Sequence, residues 1–321
     1  MKYSRLSVCV FLVGCMDYSV SRRYITDSFV QPSREAGVDI LWMIDDSASM
    51  FEEQDQLAAH ASSFTRYLSA APVDFLMGIS TTDVDIDEPG ALVGPLLSAD
   101  TEDLSGAFVE QVFLDEGSRI EEGFAAAIHA LDLDGPNGEN LRSNADLEVI
   151  FFTDEDDQSA LTANDFMQSL ESMRPSTKIV VNAIVGDPPE GCASAFGAAD
   201  AGLKYQEIQA MTEGLRESIC SLDYDAMLSR IALKVLGLEN TFGLSKPPDL
   251  STMVVRIDDA LIHRRDRHGW SYDAGRNAIM FDGYAVPYPG AEVVFRYAEW
   301  IGPQEAFESQ DEVQEEEEVV E

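Results

Sequence analysis

The feature that most restricts this chain is a repeated switch between short apolar runs and helical periodicity, beginning at Val38. Val38-Asp-Ile-Leu-Trp-Met-Ile44 is almost continuously apolar, the pattern of a strand covered on both faces. Residues 51–70 follow with Leu57, Phe64 and Leu68 at helical spacing, and 73–80 is a second apolar run. The same reading predicts a helix over 120–131, strands over 147–152 and 178–185 with a helix over 161–173 between them, and helices over 203–214 and Tyr224–Leu236. Strands that alternate with helices of about ten or more residues are joined by crossover connections. The expected fold class is therefore α/β, a doubly wound, mostly parallel sheet filling residues 37–238.

After Gly237 the texture changes. Pro247 and Pro248 break the chain, and 253–262, 270–272, Ala278–Phe281 and 293–297 alternate or run apolar between turns. Gly269, Gly275, Asp282-Gly283 and Gly290 supply the turn chemistry. This predicts a small all-β module over 239–302. Residues 303–321 are rich in acids and lack hydrophobic periodicity, which predicts a disordered acidic tail.

Charge limits the partners. The 59 acidic against 21 basic residues give a net charge of −38 in 321 residues. Nucleic-acid binding depends on clustered Lys and Arg that release counterions, and a polybasic membrane patch depends on the same groups. Neither is available over any broad face here. Contact with a membrane is expected through a lipid anchor alone.

The anchor is read from the first residues. Lys2 and Arg5 precede a short apolar run that ends in Leu12-Val13-Gly14-Cys15, too short to span ~30 Å of hydrocarbon as a helix. The quartet resembles a bacterial lipobox; an ordinary signal peptide that happens to contain Cys15 is the other reading. The resemblance implies that residues 1–14 are a lipoprotein signal peptide and that Cys15 carries the acyl chains. It further implies that 15–36 is a tether and that the protein is exported to the cell envelope, in the outer membrane. Cys9 then leaves with the signal, so Cys192 and Cys220 remain as a pair that an oxidising compartment favours as a disulfide. Two free buried thiols, or half of a metal site, are the alternatives.

The informative string is Asp45-Asp-Ser47-Ala-Ser49, placed where the first buried strand ends and a helix begins. Ligands of open α/β sheets bind outside the carboxyl ends of the strands. Asp and Ser also cap helices, so the string alone is weak. Two further stations strengthen it: Ser118 in the loop 116–123 before a predicted helix, and Asp154 directly after the strand 147–152. Together these residues resemble the metal-ion-dependent adhesion site of von Willebrand factor A domains. The resemblance implies that the hydroxyls of Ser47, Ser49 and Ser118 bind a divalent cation directly. Asp45 and Asp154 would act mostly through water. Ser118 stands where that family has Thr, and Glu155 where it commonly has Gly. Mg²⁺, which takes hard oxygens and few carboxylates, is the expected metal, with Mn²⁺ or Ca²⁺ as substitutes. The partner implied is a protein offering a carboxylate to the cation. With the lipobox, the cysteine pair and the β module, the chain looks like envelope lipoproteins of myxobacteria-like lineages. The alternative is a structural or assembly lipoprotein with a degenerate, metal-free site.

Other signals carry less. Asp83-Val-Asp-Ile-Asp87-Glu88 begins like a calcium loop but lacks Gly at its sixth position and Glu at its twelfth, so it reads as a solvated acidic loop. Asp154 to Asp157 reads as an acidic rim of the crevice. No catalytic motif is present, and no enzyme activity is expected; a metal-dependent hydrolase using Asp46 or Asp156 as base is the weakest of the readings.

Overall fold

Every residue of the strand Val38–Ile44 is buried, and the rest of the molecule is built outward from it. The computed structural model describes residues 23–32, 37–71, 73–265 and 268–300. The signal peptide, Cys15 and the acidic tail lie outside the described residues.

The chain enters through β1 (Tyr24–Val30) and passes to β2 (Val38–Ile44). Helices α1 (Phe51–Ala59) and α2 (Ser62–Ala70) lead to β3 (Phe75–Thr81). The short β4 (Leu97–Ser98) is followed by α3 (Leu104–Val112) and α4 (Gly123–Leu131). The alternation continues with β5 (Asp146–Phe152), α5 (Ala163–Met173) and β6 (Ile179–Val185). A ribbon of β7 (Cys192–Ala193) and β8 (Ala198–Ala199) precedes α6 (Leu203–Met211), β9 (Arg216–Ser218) and α7 (Tyr224–Leu236).

The six-stranded sheet runs β4-β3-β2-β5-β6-β9, and every pair is parallel except the short edge strand β4 on β3. In order of appearance this is 3-2-1-4-5-6, the doubly wound arrangement, and its switch point falls between β2 and β5. The expected α/β class is thus what the chain adopts. Alternation along β2 divides the core. Val38, Ile40, Trp42 and Ile44 face α1, α2, α3 and α7, where Leu57, Phe64, Phe108 and Leu228 meet them. Leu41 and Met43 face α4, α5 and α6 through Phe124, Phe166, Leu170 and Tyr205. At the opposite end of the sheet the buried Asp39 is neutralised by Arg142 at 2.8 Å and Arg174 at 3.7 Å.

Three local readings need correction. The single helix expected over 51–70 is two: the backbone leaves the helical region at His60 (φ −110°, ψ 9°), whose ring nitrogen lies 2.9 Å from the Gln56 carbonyl. Helix α3 is additional to the expected elements; Leu104, Phe108 and Val112 recur every four residues along it and Asp103 caps it through Gly106 N–H at 3.0 Å. The tether expected over 15–36 contains β1, whose partner β15 (Glu292–Glu299) lies far away in sequence.

The remaining strands form the all-β module: β10 (Thr241–Gly243), β11 (Pro248–Ile257), β12 (Ala260–Ile262), β13 (Trp270–Asp273), β14 (Ala278–Phe281) and β15. One antiparallel sheet runs β1-β15-β11-β12 and the other β10-β14-β13. Their facing sides bury Phe242, Trp270, Phe281, Phe295 and Tyr297, and Phe29 of β1 packs on the same core. The α/β domain is therefore inserted in the β module. Gln31, 1% exposed, ties the two crossings together. Its side-chain amide donates to the Glu239 and Pro287 carbonyls at 2.8 and 2.9 Å and accepts from Glu239 N–H at 3.2 Å.

Candidate functional site

Parallel pairing in register brings the ends of three strands to one edge, with Ile44 opposite both Thr81 and Phe152. The ladder continues one step beyond: Asp45 N–H donates to Phe152 C=O at 3.0 Å, Thr82 N–H to Ile44 C=O and Thr153 N–H to Ile184 C=O, both at 3.2 Å. The loops that follow β2, β3 and β5 are thus fixed at the switch point, where the flanking crossovers diverge and leave a crevice.

Four of the residues expected to bind a cation meet there. Asp45 is wholly buried. One of its carboxylate oxygens accepts from Ser47 N–H at 2.8 Å and the other from the Thr153 hydroxyl at 2.6 Å. Ser47 Oγ and Ser49 Oγ stand 3.0 Å apart. The Asp154 carboxylate lies close to both Ser49 and Asp45. Gln54, from α1, donates to the Asp45 carbonyl at 2.9 Å and holds the start of the loop.

Ser118 is placed differently. Its backbone N–H donates to Asp83 Oδ2 at 3.1 Å, and its hydroxyl accepts from Ile120 N–H at 3.0 Å. Among the described residues no hydrogen bond joins it to Ser47, Ser49, Asp45 or Asp154. The preceding Gly117 donates to the Asp46 carbonyl at 2.9 Å and lies so close that a Cβ there would come within 2.4 Å of the Asp46 carboxylate. Asp83 is buried and accepts from the backbone N–H groups of Ser118 and Asp85, so the 83–88 segment is the exposed acidic loop expected over residues 85–88 but is anchored inward at Asp83.

Of three neighbouring carboxylates, the sequence assigns no site role to Glu121 and Glu53, and to Asp46 only that of a base in the weakest, hydrolytic reading. Glu121 is wholly buried, with one oxygen held by the Thr82 hydroxyl. Glu53, on the first turn of α1, faces the crevice beneath Gly197, where a Cβ would be 2.4 Å from its Oε1. Asp46 lines a cavity of about 220 Å³ with Ser47, Phe51, Gln54, Leu114 and Glu116. Of the expected rim, Asp156 accepts from Lys204 N–H and Asp157 from Phe124 N–H, at 3.0 and 2.9 Å. These two carboxylates hold the first turns of α6 and α4 rather than facing an open crevice.

Crowding these acids in one buried place shifts their titration. Burial, then the charges of Asp83 and Asp45, pushes Asp46 up to about 7. Burial followed by Asp45 pushes Asp154 up to about 7 and Glu121 up to about 9. Burial also raises Asp45, Glu53 and Glu155. Four buried oxygens here, Asp46 Oδ1, Glu53 Oε2, Glu121 Oε1 and Asp154 Oδ1, have no hydrogen-bond partner. An unpartnered carboxylate oxygen in a protein interior is strongly disfavoured unless a proton or a cation meets it.

A divalent cation fits this donor set. Cis oxygens of an octahedral Mg²⁺ with ~2.1 Å bonds are about 3.0 Å apart, the spacing of the Ser47 and Ser49 hydroxyls. Among the described residues no three His, Cys, Asp or Glu side chains form a ready cage. Mg²⁺ does not need one, since it usually takes one or two carboxylates and retains waters.

Cys192 and Cys220 form a disulfide, as expected in preference to free thiols. It fastens the β7–β8 ribbon beside the crevice, where Asp200 N–H donates to the Asp154 carbonyl at 2.8 Å. Among the described residues no helix is long and apolar enough to cross a membrane.

No protein-family model matches the chain, and no curated protein matches it. Similar solved structures include the pilus adhesin SpaC of Lactobacillus rhamnosus GG in its open conformation, at 13% identity and a TM-score of 0.45. That match covers 85% of this chain and 40% of the adhesin, so the chain spans well under half of that protein. Another form of the same adhesin matches at 12% identity, with the same coverage and TM-score. A von Willebrand factor type A protein from Catenulispora acidiphila has 12% identity and a TM-score of 0.39, over 88% of this chain and 66% of the other. The α/β assignment rests on the strand order and register observed in this chain.

Proposed function

We propose that this protein binds a partner protein through a divalent cation held at the carboxyl edge of β2 and β5, and that it does so from a lipid anchor at Cys15 in the cell envelope. The observation that carries this reading is the pair of hydroxyls on Ser47 and Ser49, 3.0 Å apart, beside Asp154 with its unpartnered buried oxygen. Ser47, Ser49 and Asp154 would hold the ion, and Asp45 would orient the loop. When bound, a Mg²⁺ ion supplies a Lewis-acidic position that a carboxylate of the partner can occupy. This chain's own residues bind, orient and neutralise; none is assigned a catalytic role, and we read the protein as a binding protein rather than an enzyme.

The test is a thermal melt of the full chain with and without millimolar Mg²⁺, beside a membrane-fractionation experiment. The expected result is an upward shift in Tm that disappears in the Ser47→Ala/Ser49→Ala double variant, and release of Cys15→Ser from the membrane fraction. A Tm indifferent to Mg²⁺, Mn²⁺ and Ca²⁺ overturns the cation reading. A membrane-bound Cys15→Ser protein overturns the anchor.

A second reading is favoured by one observation: Ser118 uses its hydroxyl on its own loop. On that reading the site is metal-free and the protein serves assembly through its surfaces. It predicts partner capture that survives a chelator.

A further inference from the structure

We infer that Glu121, and not Ser118, is the donor that the loop before α4 contributes to a divalent cation in the crevice; the inference rests on the cation reading above.

The loop itself is rigidly held. Glu122 N–H donates to the Thr82 carbonyl at 3.0 Å, the Glu121 carbonyl accepts from Gln158 N–H at 2.8 Å, and Asp157 anchors Phe124 N–H. Glu121 is thus fixed between the ends of β3 and β5. Its side chain is wholly buried, one oxygen engaged by Thr82 and the other, Oε1, without a partner. The charges that act on it most are those of Asp45, Asp46 and Glu155, all negative. A carboxylate is not held in such a place for solvation. It needs a proton or a positive ion, and its free oxygen is a hard ligand of the kind Mg²⁺ and Mn²⁺ prefer. Ser118, by contrast, is half-exposed and already accepts a hydrogen bond within its own turn.

This assignment changes the chemistry of the site. A carboxylate in place of a hydroxyl adds negative charge next to the cation. Less positive charge is then left to attract a partner's carboxylate, so capture depends more on surrounding contacts than on the ion alone.

The experiment is Mn²⁺ binding to the full chain, followed by electron paramagnetic resonance, for the wild type and for Ser118→Ala, Glu121→Gln and Glu155→Gln. Glu155→Gln controls for charge, because Glu155 also acts on Asp45's surroundings without facing an unpartnered position. We expect Glu121→Gln to weaken Mn²⁺ by at least about ten-fold, with Ser118→Ala unchanged and Glu155→Gln affected far less. Glu121→Gln is nearly isosteric and keeps an acceptor for Thr82; a metal-free melt at or above that of the wild type shows that it folds. Weakening in Ser118→Ala, or full binding in Glu121→Gln, overturns this inference and leaves the cation reading standing. No Mn²⁺ binding by the wild type overturns both.

Discussion

Thr153 donates its hydroxyl hydrogen to Asp45 Oδ2 at 2.6 Å, joining the residues that follow the two central strands. Both side chains are wholly buried. The same hydroxyl accepts from Glu155 N–H at 3.0 Å, so a single side chain orients Asp45 and sets the path of the loop carrying Asp154. The crevice is built around this contact.

Replacing Thr153 by Val keeps the shape and removes the donor. A hydrogen bond to a charged group is worth about 1.5–3 kcal/mol, so Thr153→Val should lose stability on that order. Urea unfolding of the full chain measures it. An unchanged midpoint would mean that Asp45 is oriented by Ser47 alone.

The raised carboxyls make stability depend on pH in a direction opposite to that of ordinary salt-bridged acids. Asp46 and Asp154 titrate near 4 when unfolded and at about 7 when folded, and Glu121 at about 9. The folded state therefore holds protons that the unfolded state has released. Their stabilisation is complete below pH ~4, declines as pH rises to about 7, and declines further to about 9 through Glu121. Metal-free protein should melt higher at pH 5.5 than at pH 8, and saturating Mg²⁺ should narrow the difference. Calorimetric melts across that range check it, and a metal-free Tm that rises with pH contradicts it.

The Cys192–Cys220 bridge closes a separation of 28 residues. In the chain-entropy account this is worth roughly 3.5 kcal/mol, so a Cys192→Ser/Cys220→Ser double variant should lose stability by about that amount. Denaturant titration under non-reducing conditions gives the value. The loss should be accompanied by faster proteolysis of the β7–β8 ribbon.

Gln31 couples the inserted domain to its host. Gln31→Ala leaves the Glu239 N–H and the Glu239 and Pro287 carbonyls without their buried partner. The expected cost is on the order of 2–4 kcal/mol, with earlier proteolytic cleavage between α7 and β10. Cleavage at the wild-type rate would show that the sheet pairing of β1 with β15 holds the crossing unaided.

Much of this was legible in the residues themselves. Strand β2, helix α7 and strand β14 stand where apolar runs and helical spacing put them, because burial on two faces or along one stripe leaves a strong local pattern. Strand β1 looks like tether in the sequence because it is a half-exposed edge strand containing Thr, Asp and Ser, and its partner is some 270 residues away. The meeting of Asp45, Ser47, Ser49 and Asp154 followed from their places after adjacent strands. Glu121 and Glu53 carry no ligand signal of their own, since nothing local distinguishes a buried glutamate from a solvated one. Only the parallel register that brings Thr82, Asp45 and Thr153 to one edge makes them part of the crevice. The inward turn of Asp83 was hidden for the same reason: its partners are the backbone N–H groups of Asp85 and Ser118.

The central claim is that the edge of β2 and β5 holds a divalent cation. The direct measurement is calorimetric titration of Mg²⁺, then Mn²⁺ and Ca²⁺, into the full chain and into its Asp45→Asn variant, with folding of both verified by circular dichroism. The account predicts saturable binding by the wild type that weakens by at least about ten-fold when Asp45 no longer orients the loop. Absence of binding by a folded wild-type chain at several millimolar metal, or equal binding by the variant, would contradict it.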